Sequence, residues 1–408
     1  MKTIDNQTAD WQKVFLKQNP FPTIPSKNPE EVIWAGFSKL RSELKVVFVE
    51  SLSTNRTQVV LNWGEYGSGK THAATFNQLK ENILNGIEMK LKDIELFYIQ
   101  TPREQDKADM LLYRNILEAI KFRRIRLAVR DVTQKLGSEK TLQKLQQTVD
   151  SEVLGKAIWL LGQDKSRSGQ LLLLNDETIS TDWDLLLESY FYSQATKTDL
   201  RRLGLSRGID SAHDRFRVLG GILNTLIGFE PTEDLGQHTR ISLWLDEMEN
   251  LIYFTSKYYL PFTQGLRELI DQLPSYFTIF LNITLASPEA FQDIETILGK
   301  ALLDRKTNEI YFKEPDEHEA YQYVIELLES FRTGDWNPSK YPSSYPFEPD
   351  ALKVLISTLK TRTPRDINQA CSDVITTAIR DKAVGSPKQL IDHQFVIKWG
   401  NSKAEQNL

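Results

Sequence analysis

The chain has 408 residues, 40% of them hydrophobic and 26% charged, with a formal net charge of -5. That length exceeds one small core and calls for two or three domains or subdomains, and the near-balanced charge excludes a whole-protein basic surface while leaving room for a local basic patch. The lone cysteine, Cys371, excludes an internal disulfide; no run reaches the roughly 18 apolar residues of a membrane span and the N-terminus lacks a signal-peptide core, so a soluble cytoplasmic protein is expected.

Residues 1–30 are polar and carry Pro20, Pro22, Pro25 and Pro29, which resist helix. An extended lead-in is expected there, followed by a helix from Glu30 to Glu50. Gln58 to Trp63 is β-branched and apolar, the pattern of a buried strand. It runs into Gly64-Glu65-Tyr66-Gly67-Ser68-Gly69-Lys70-Thr71, which matches the Walker A pattern G-x-x-x-x-G-K-[ST]. Glycines let successive N–H groups turn inward as an anion nest, and the following helix, Thr71 to Leu84, offers its positive end to phosphate. Gly64, Gly67, Ser68, Gly69, Lys70, Thr71 and His72 are therefore the candidate nucleotide-binding residues. Lys70 would reach the β- and γ-phosphates, and Thr71 would offer its hydroxyl to Mg²⁺. His72 reads as a first-turn helix residue rather than a catalyst.

Ile94 to Gln100 is a second buried strand. Residues 104–215 are rich in Leu, Lys, Arg, Gln and Asp with helical periodicity, and are read as a helical insertion. It contains Lys121 to Arg130, where basic and apolar residues alternate. That segment is either a helix lying on nucleic-acid phosphates or an amphipathic helix with a charged outer face. The insertion is expected to be separable from the core that hydrolyses nucleotide. Phe216 to Ile227 is a helix, Arg240 to Leu245 a third strand, Phe277 to Leu285 a fourth and Glu309 to Phe312 a fifth. From Glu314 the chain reads helical, and the last twenty or so residues are weakly patterned.

The third strand ends in Asp246-Glu247. Acids at the carboxyl end of a strand in an open α/β sheet lie at the ligand edge. Asp246 would hold a water on Mg²⁺, and Glu247 would orient and deprotonate the attacking water. The fold class expected is α/β, a P-loop parallel sheet flanked by helices with a helical insertion and a C-terminal helical lid.

Walker A, the Asp246-Glu247 strand end and Thr363-Pro364-Arg365-Asp366-Ile367-Asn368 together resemble the AAA+ ATPases of the initiator and transposition-regulator clade, which includes origin-recognition-like and secretion-type members. Asn19-Pro20-Phe21 with Val32-Ile33-Trp34-Ala35-Gly36 is similar to the segment that runs past adenine. The resemblance implies sensor 2 at Arg365 and sensor 1 at Ser287, with Asn282 and Thr284 as competitors. It implies an arginine finger at Arg305, acting on a neighbouring subunit. It also implies ATP and Mg²⁺ as cofactors. The implied organisation is 1–103 lead-in and first half of the core, 104–215 insertion, 216–313 second half, 314–384 lid and 385–408 tail. The sequence departs from the family in Phe37, where an arginine is usual, and in the separation of 175 positions from Thr71 to Asp246. The short tail is expected to leave no room for the winged-helix domain that initiators carry. Two functions follow. One is a switch or matchmaker ATPase that oligomerises on ATP, binds duplex DNA and regulates a nuclease, recombinase or transposase. The other is a signalling or anti-phage defence ATPase whose insertion binds a protein. A metabolic kinase would leave the lid and the acid pair without a purpose.

Overall fold

Five strands form one parallel sheet in the computed structural model: β1 Gln58–Glu65, β2 Ile94–Gln100, β3 Arg240–Asp246, β4 Phe277–Leu285 and β5 Asn308–Phe312, in spatial order β2-β3-β4-β1-β5. The structure describes residues 10–24, 26–84, 94–163, 182–229, 239–273, 275–385 and 389–406. Parts of the expected lead-in, insertion and tail lie outside them. Parallel pairing demands crossover connections, and helices cover both faces, which is why every β3 position is buried. The α/β class with a P-loop, flanking helices and a C-terminal helical region is what the structure has.

Side chains alternate between the two faces, as the pleat requires. On one face Val60, Trp244, Phe280 and Ile310 pack under helices Ser38–Ser53 and Lys70–Phe76. Trp244 stacks on Phe280 at 4.1 Å between ring centroids, with Phe48 above. On the other face Leu61, Leu243, Leu245, Ile279 and Leu281 join a large cluster with helices Ala212–Ile227 and Ser256–Gln272. Leu112, Ile116, Val129, Leu154, Ile158 and Leu187 from the insertion belong to that same cluster. The insertion thus shares its core with the sheet. Its removal would uncover the sheet's own packing, contrary to the expected separability.

The remaining apolar residues gather around helices Glu317–Ser330, Pro349–Thr358 and Pro364–Arg380. Val14, Leu16 and Phe21 of the lead-in are buried in this cluster. Leu16 bridges Arg332, and the Lys17 N–H donates to the Phe331 carbonyl at 2.9 Å. The weakly patterned tail forms helix His393–Gln406, and its Val396 enters the same cluster.

Two expected helices differ at their ends. The helix predicted from Glu30 begins at Ser38, because Gly36 and Phe37 are left-handed (φ +58° and +50°). The Gly36 N–H donates to Glu326 at 2.7 Å, which ties the non-helical Val32–Phe37 segment to the helix Glu317–Ser330. The helix after the glycine loop breaks into Lys70–Phe76 and Lys80–Leu84. Asn77 and Asn82 donate to the Ala73 and Phe76 carbonyls at 2.8 and 2.7 Å, a side-chain competition that ends helices.

Candidate functional site

The carboxyl ends of the five strands share one edge, and the glycine loop lies on it. β1 extends through Gly64 and Glu65, so Gly64 is flanked by Thr284 of β4 and Phe312 of β5. A side chain at Gly64 would place its Cβ 2.6 Å from the Phe312 carbonyl oxygen, so only glycine fits. Gly67 and Gly69 have φ of +81° and +99°, which turns the loop's N–H groups inward. Lys70 follows as the first helical residue. It is only 6% exposed. Its ammonium donates to the Gly64 and Glu65 carbonyls at 2.9 Å each and to Ser68 Oγ at 3.0 Å. Burial pushes it down from 10.5 to about 8, while Glu249, Asp246 and Glu65 pull the other way. A buried cation whose hydrogen-bond partners are two carbonyls and a hydroxyl, all uncharged, is poised to take an anion.

Asp246 closes the other side of the loop. Its Oδ2 accepts from Thr71 Oγ1 at 2.7 Å and from the Tyr98 hydroxyl at 2.8 Å, and its Oδ1 from Asn282 Nδ2 at 3.1 Å. Asn62 on β1 donates in turn to Asn282 Oδ1 at 2.9 Å, and both asparagines are fully buried. A polar chain thus crosses four adjacent strands and fixes the carboxylate. Burial and the nearby Asp246 charge raise Tyr98 far above the ordinary tyrosine range, so it stays a donor. The Thr71 hydroxyl and the Asp246 carboxylate are hard oxygen donors side by side, a set that fits Mg²⁺.

The other predicted residues are placed as follows. Glu247 is left-handed (φ +58°), and its side chain accepts from Arg103 at 3.0 Å and Asn250 at 3.3 Å. Arg365 begins the helix Pro364–Arg380, with its guanidinium 4.0 Å from the centre of the Tyr66 ring. A Cβ on Gly67 would meet Arg365 and Thr363 at 2.9 Å, so this helix end sits directly on the loop. His72 is half-buried, shifted down by desolvation, and its Nε2 lies 3.0 Å from the Ile33 carbonyl oxygen. It ties the loop helix to the non-helical 32–37 segment.

These residues surround a cavity of about 720 Å³, lined by the loop, Asp246, Glu247, Glu249, Thr284, Arg103 and Arg365 on one side and by Val32, Ile33, Trp34, Phe37 and Tyr323 on the other. That size holds a ligand of nucleotide dimensions. Its lining combines the charged groups around the loop with apolar side chains such as Val32, Trp34 and Phe37.

Three expected residues lie outside this lining: Gly64, which packs on Phe312 at the end of β1, Ser287 and Arg305. Ser287 sits past the end of β4 before the turn Pro288–Gln292 and hydrogen-bonds toward Glu289; Thr284 lines the cavity and Asn282 touches Asp246. Arg305 is clamped by Asp271 in two hydrogen bonds of 2.8 and 2.7 Å. The sequence reading missed Glu249, Tyr98, Arg103 and Asn62. Glu249 and Arg103 were visible only as charges close behind a strand end, and Asn62 and Tyr98 only as polar interruptions within apolar strands.

Fold and site together define a P-loop α/β architecture with an anion cradle facing a paired hydroxyl and carboxylate. No family model and no curated protein matches the sequence. Among solved structures the chain is similar to the Aeropyrum pernix ORC1 protein in complex with DNA, at 12% identity over 94% of this chain and 71% of that one, TM-score 0.42. It is similar to Drosophila ORC bound to DNA at 10% identity over 98% and 67%, TM-score 0.47. It is similar to the Walker-type ATPase of Pyrococcus abyssi at 14% identity over 95% and 78%, TM-score 0.40. Likenesses this distant do not carry residue roles. Among the described residues, no helix is long and apolar enough to cross a membrane.

Proposed function

We propose that the protein is a Mg²⁺-dependent ATPase of the AAA+ type that works as a nucleotide-driven switch and self-associates when ATP binds. The observation that carries this reading is the buried Lys70 ammonium inside a glycine cradle, with the Thr71 hydroxyl on Asp246 beside it. The lid supports it, because Arg365 stands over the same loop. Lys70 and the loop N–H groups would bind the phosphates. The 32–37 segment, held by His72, would wall the base. Thr71 and Asp246 would hold Mg²⁺, which supplies charge neutralisation between the phosphates when bound. An acid at the end of β3 would orient water and take its proton; Glu247 has that place in the sequence pattern. Arg365 would stabilise charge on the transferred phosphoryl group from the lid.

Arg305 would act across a subunit boundary, released from Asp271. The partners proposed are further copies of the chain, duplex DNA and a nuclease, recombinase or transposase. One observation favours the second reading, a signalling or defence ATPase whose insertion binds a protein. Arg124 pairs with Glu95, and Arg126 pairs with Asp184 and donates to the Leu161 carbonyl, so the basic helix spends these charges inside the chain.

The test is titration of Mg-ATP into wild-type and Lys70→Ala protein, with light scattering on the same samples. Saturable binding and growth in mass with the wild type, both lost in the variant, are expected. Equal affinity in the two proteins would sink the assignment. Mixing Arg305→Ala with Lys70→Ala subunits should restore part of the activity, since each supplies what the other lacks.

A further inference from the structure

A second acid reaches the cavity from the end of β3. Asp246 ends the strand, and the left-handed Glu247 then turns the chain. Met248 is fully buried, with its sulfur 3.2 Å from the Thr101 hydroxyl. Glu249 emerges beyond it, toward β4, and accepts the Thr284 N–H at 3.0 Å. Thr284 is the register partner of Gly64, and the Gly64 carbonyl holds the Lys70 ammonium at 2.9 Å. Glu249 thus stands over the β4–β1 crevice, beside the cradle. Glu247 lies on the opposite, β2 side, where Arg103, three residues past the end of that strand, holds it at 3.0 Å.

We propose that Glu249 is the carboxylate that orients the attacking water and accepts its proton, while Glu247 is held toward β2 by Arg103. This rests on the hydrolase reading given above. In the step, the water oxygen bonds to the γ-phosphorus, and the bond from that phosphorus to the bridging oxygen breaks. The electron pair leaves with the diphosphate, and the water proton passes to Glu249, which later returns it to solvent. A carboxylate has about four lone-pair sites on its two oxygens. The Thr284 N–H, the Thr284 hydroxyl and Glu249's own N–H engage three of them, which leaves acceptor capacity for one water. Placement decides between the two acids. A base must come within hydrogen-bond reach of the water it activates, and Glu249 is the acid on the side of Lys70.

The test is Glu249→Gln beside Glu247→Gln. Glutamine keeps an oxygen for the Thr284 N–H, so the loop should hold its shape, and it cannot take a proton. In Glu249→Gln we expect turnover to fall by about 10²-fold or more. Its affinity for Mg-ATP should stay within about threefold of wild type, on the scale set by an unchanged binding contact. Nucleotide recovered from the variant after incubation should be triphosphate, where wild type yields diphosphate. Glu249→Asp, which keeps the acid but shortens it, should recover part of the lost turnover. Wild-type turnover in Glu249→Gln overturns the assignment and leaves the hydrolase reading intact. A wild-type protein that binds ATP and never converts it overturns the hydrolase reading, and this assignment with it.

Discussion

Replacing Lys70 by methionine should make the empty protein more stable while abolishing its response to nucleotide. The ammonium is buried among carbonyls, and burial lowers it from 10.5 to about 8. That displacement corresponds to about 3 kcal/mol against the charged form at neutral pH. Methionine fills similar space without the charge. It also leaves the Gly64 and Glu65 carbonyls and Ser68 Oγ short of a donor, which returns about 1–2 kcal/mol of the gain. A net rise of about 1–2 kcal/mol follows, or an upward melting shift of about 1–2 °C for a chain of this length. The direction with pH is fixed by the same displacement. Between about pH 8 and pH 10.5 the unfolded chain holds the Lys70 proton and the folded one releases it, so wild-type stability rises with pH in that window. The advantage of the variant is full below pH 8 and disappears above pH 10.5. Thermal melts at pH 7 with and without Mg-ATP supply the assay. Ligand at a hundred times its Kd stabilises a binding protein by about 2.7 kcal/mol, so wild type should shift upward and the variant should not. A variant that melts below wild type and still shifts with ATP would refute the reasoning.

Asn282→Leu should cost stability as well as function, because it orphans the Asn62 amide and one Asp246 oxygen. About 1–3 kcal/mol for each is expected in urea unfolding, with a higher Mg²⁺ requirement for turnover; an unchanged midpoint would show that the buried chain is dispensable. Arg126→Glu should lose about 3 kcal/mol or more, since it breaks a largely buried pair with Asp184, whereas Arg123→Glu on the exposed face should stay within about 0.5 kcal/mol. Any contact of this helix with DNA is therefore tested with Lys121 and Arg123 alone. A reduced salt slope in their glutamate variants would support a phosphate contact, and an unaltered slope would retire it.

The strands were legible because a sheet buried on both faces writes itself as short apolar runs. The expected bounds of β2 and β4 match the structure, and β1, β3 and β5 are longer by one or two residues at an end. The added residues include Gly64 and Asp246, where backbone pairing continues into the site itself. The loop was legible because glycine placement there answers a steric demand at Gly64 and a left-handed one at Gly67 and Gly69. Long-range pairing was not. Nothing in the periodicity of residues 104–215 indicates that Leu112 and Ile116 share a core with Leu243 and Leu281. Nothing local shows that Arg124 and Arg126 meet Glu95 and Asp184. The different directions in which Glu247 and Glu249 leave the end of β3, on which the proposed base rests, follow one left-handed residue, a backbone choice that composition does not announce.

The central claim is that the cradle around Lys70 binds ATP with Mg²⁺ and turns it over. Phosphate release by the purified protein, followed against Mg-ATP concentration with Lys70→Ala as control, tests this most directly. Saturable, Mg²⁺-dependent release by wild type and none above background by Lys70→Ala are expected. Equal release by the two proteins, or none by wild type at saturating Mg-ATP, would contradict the claim.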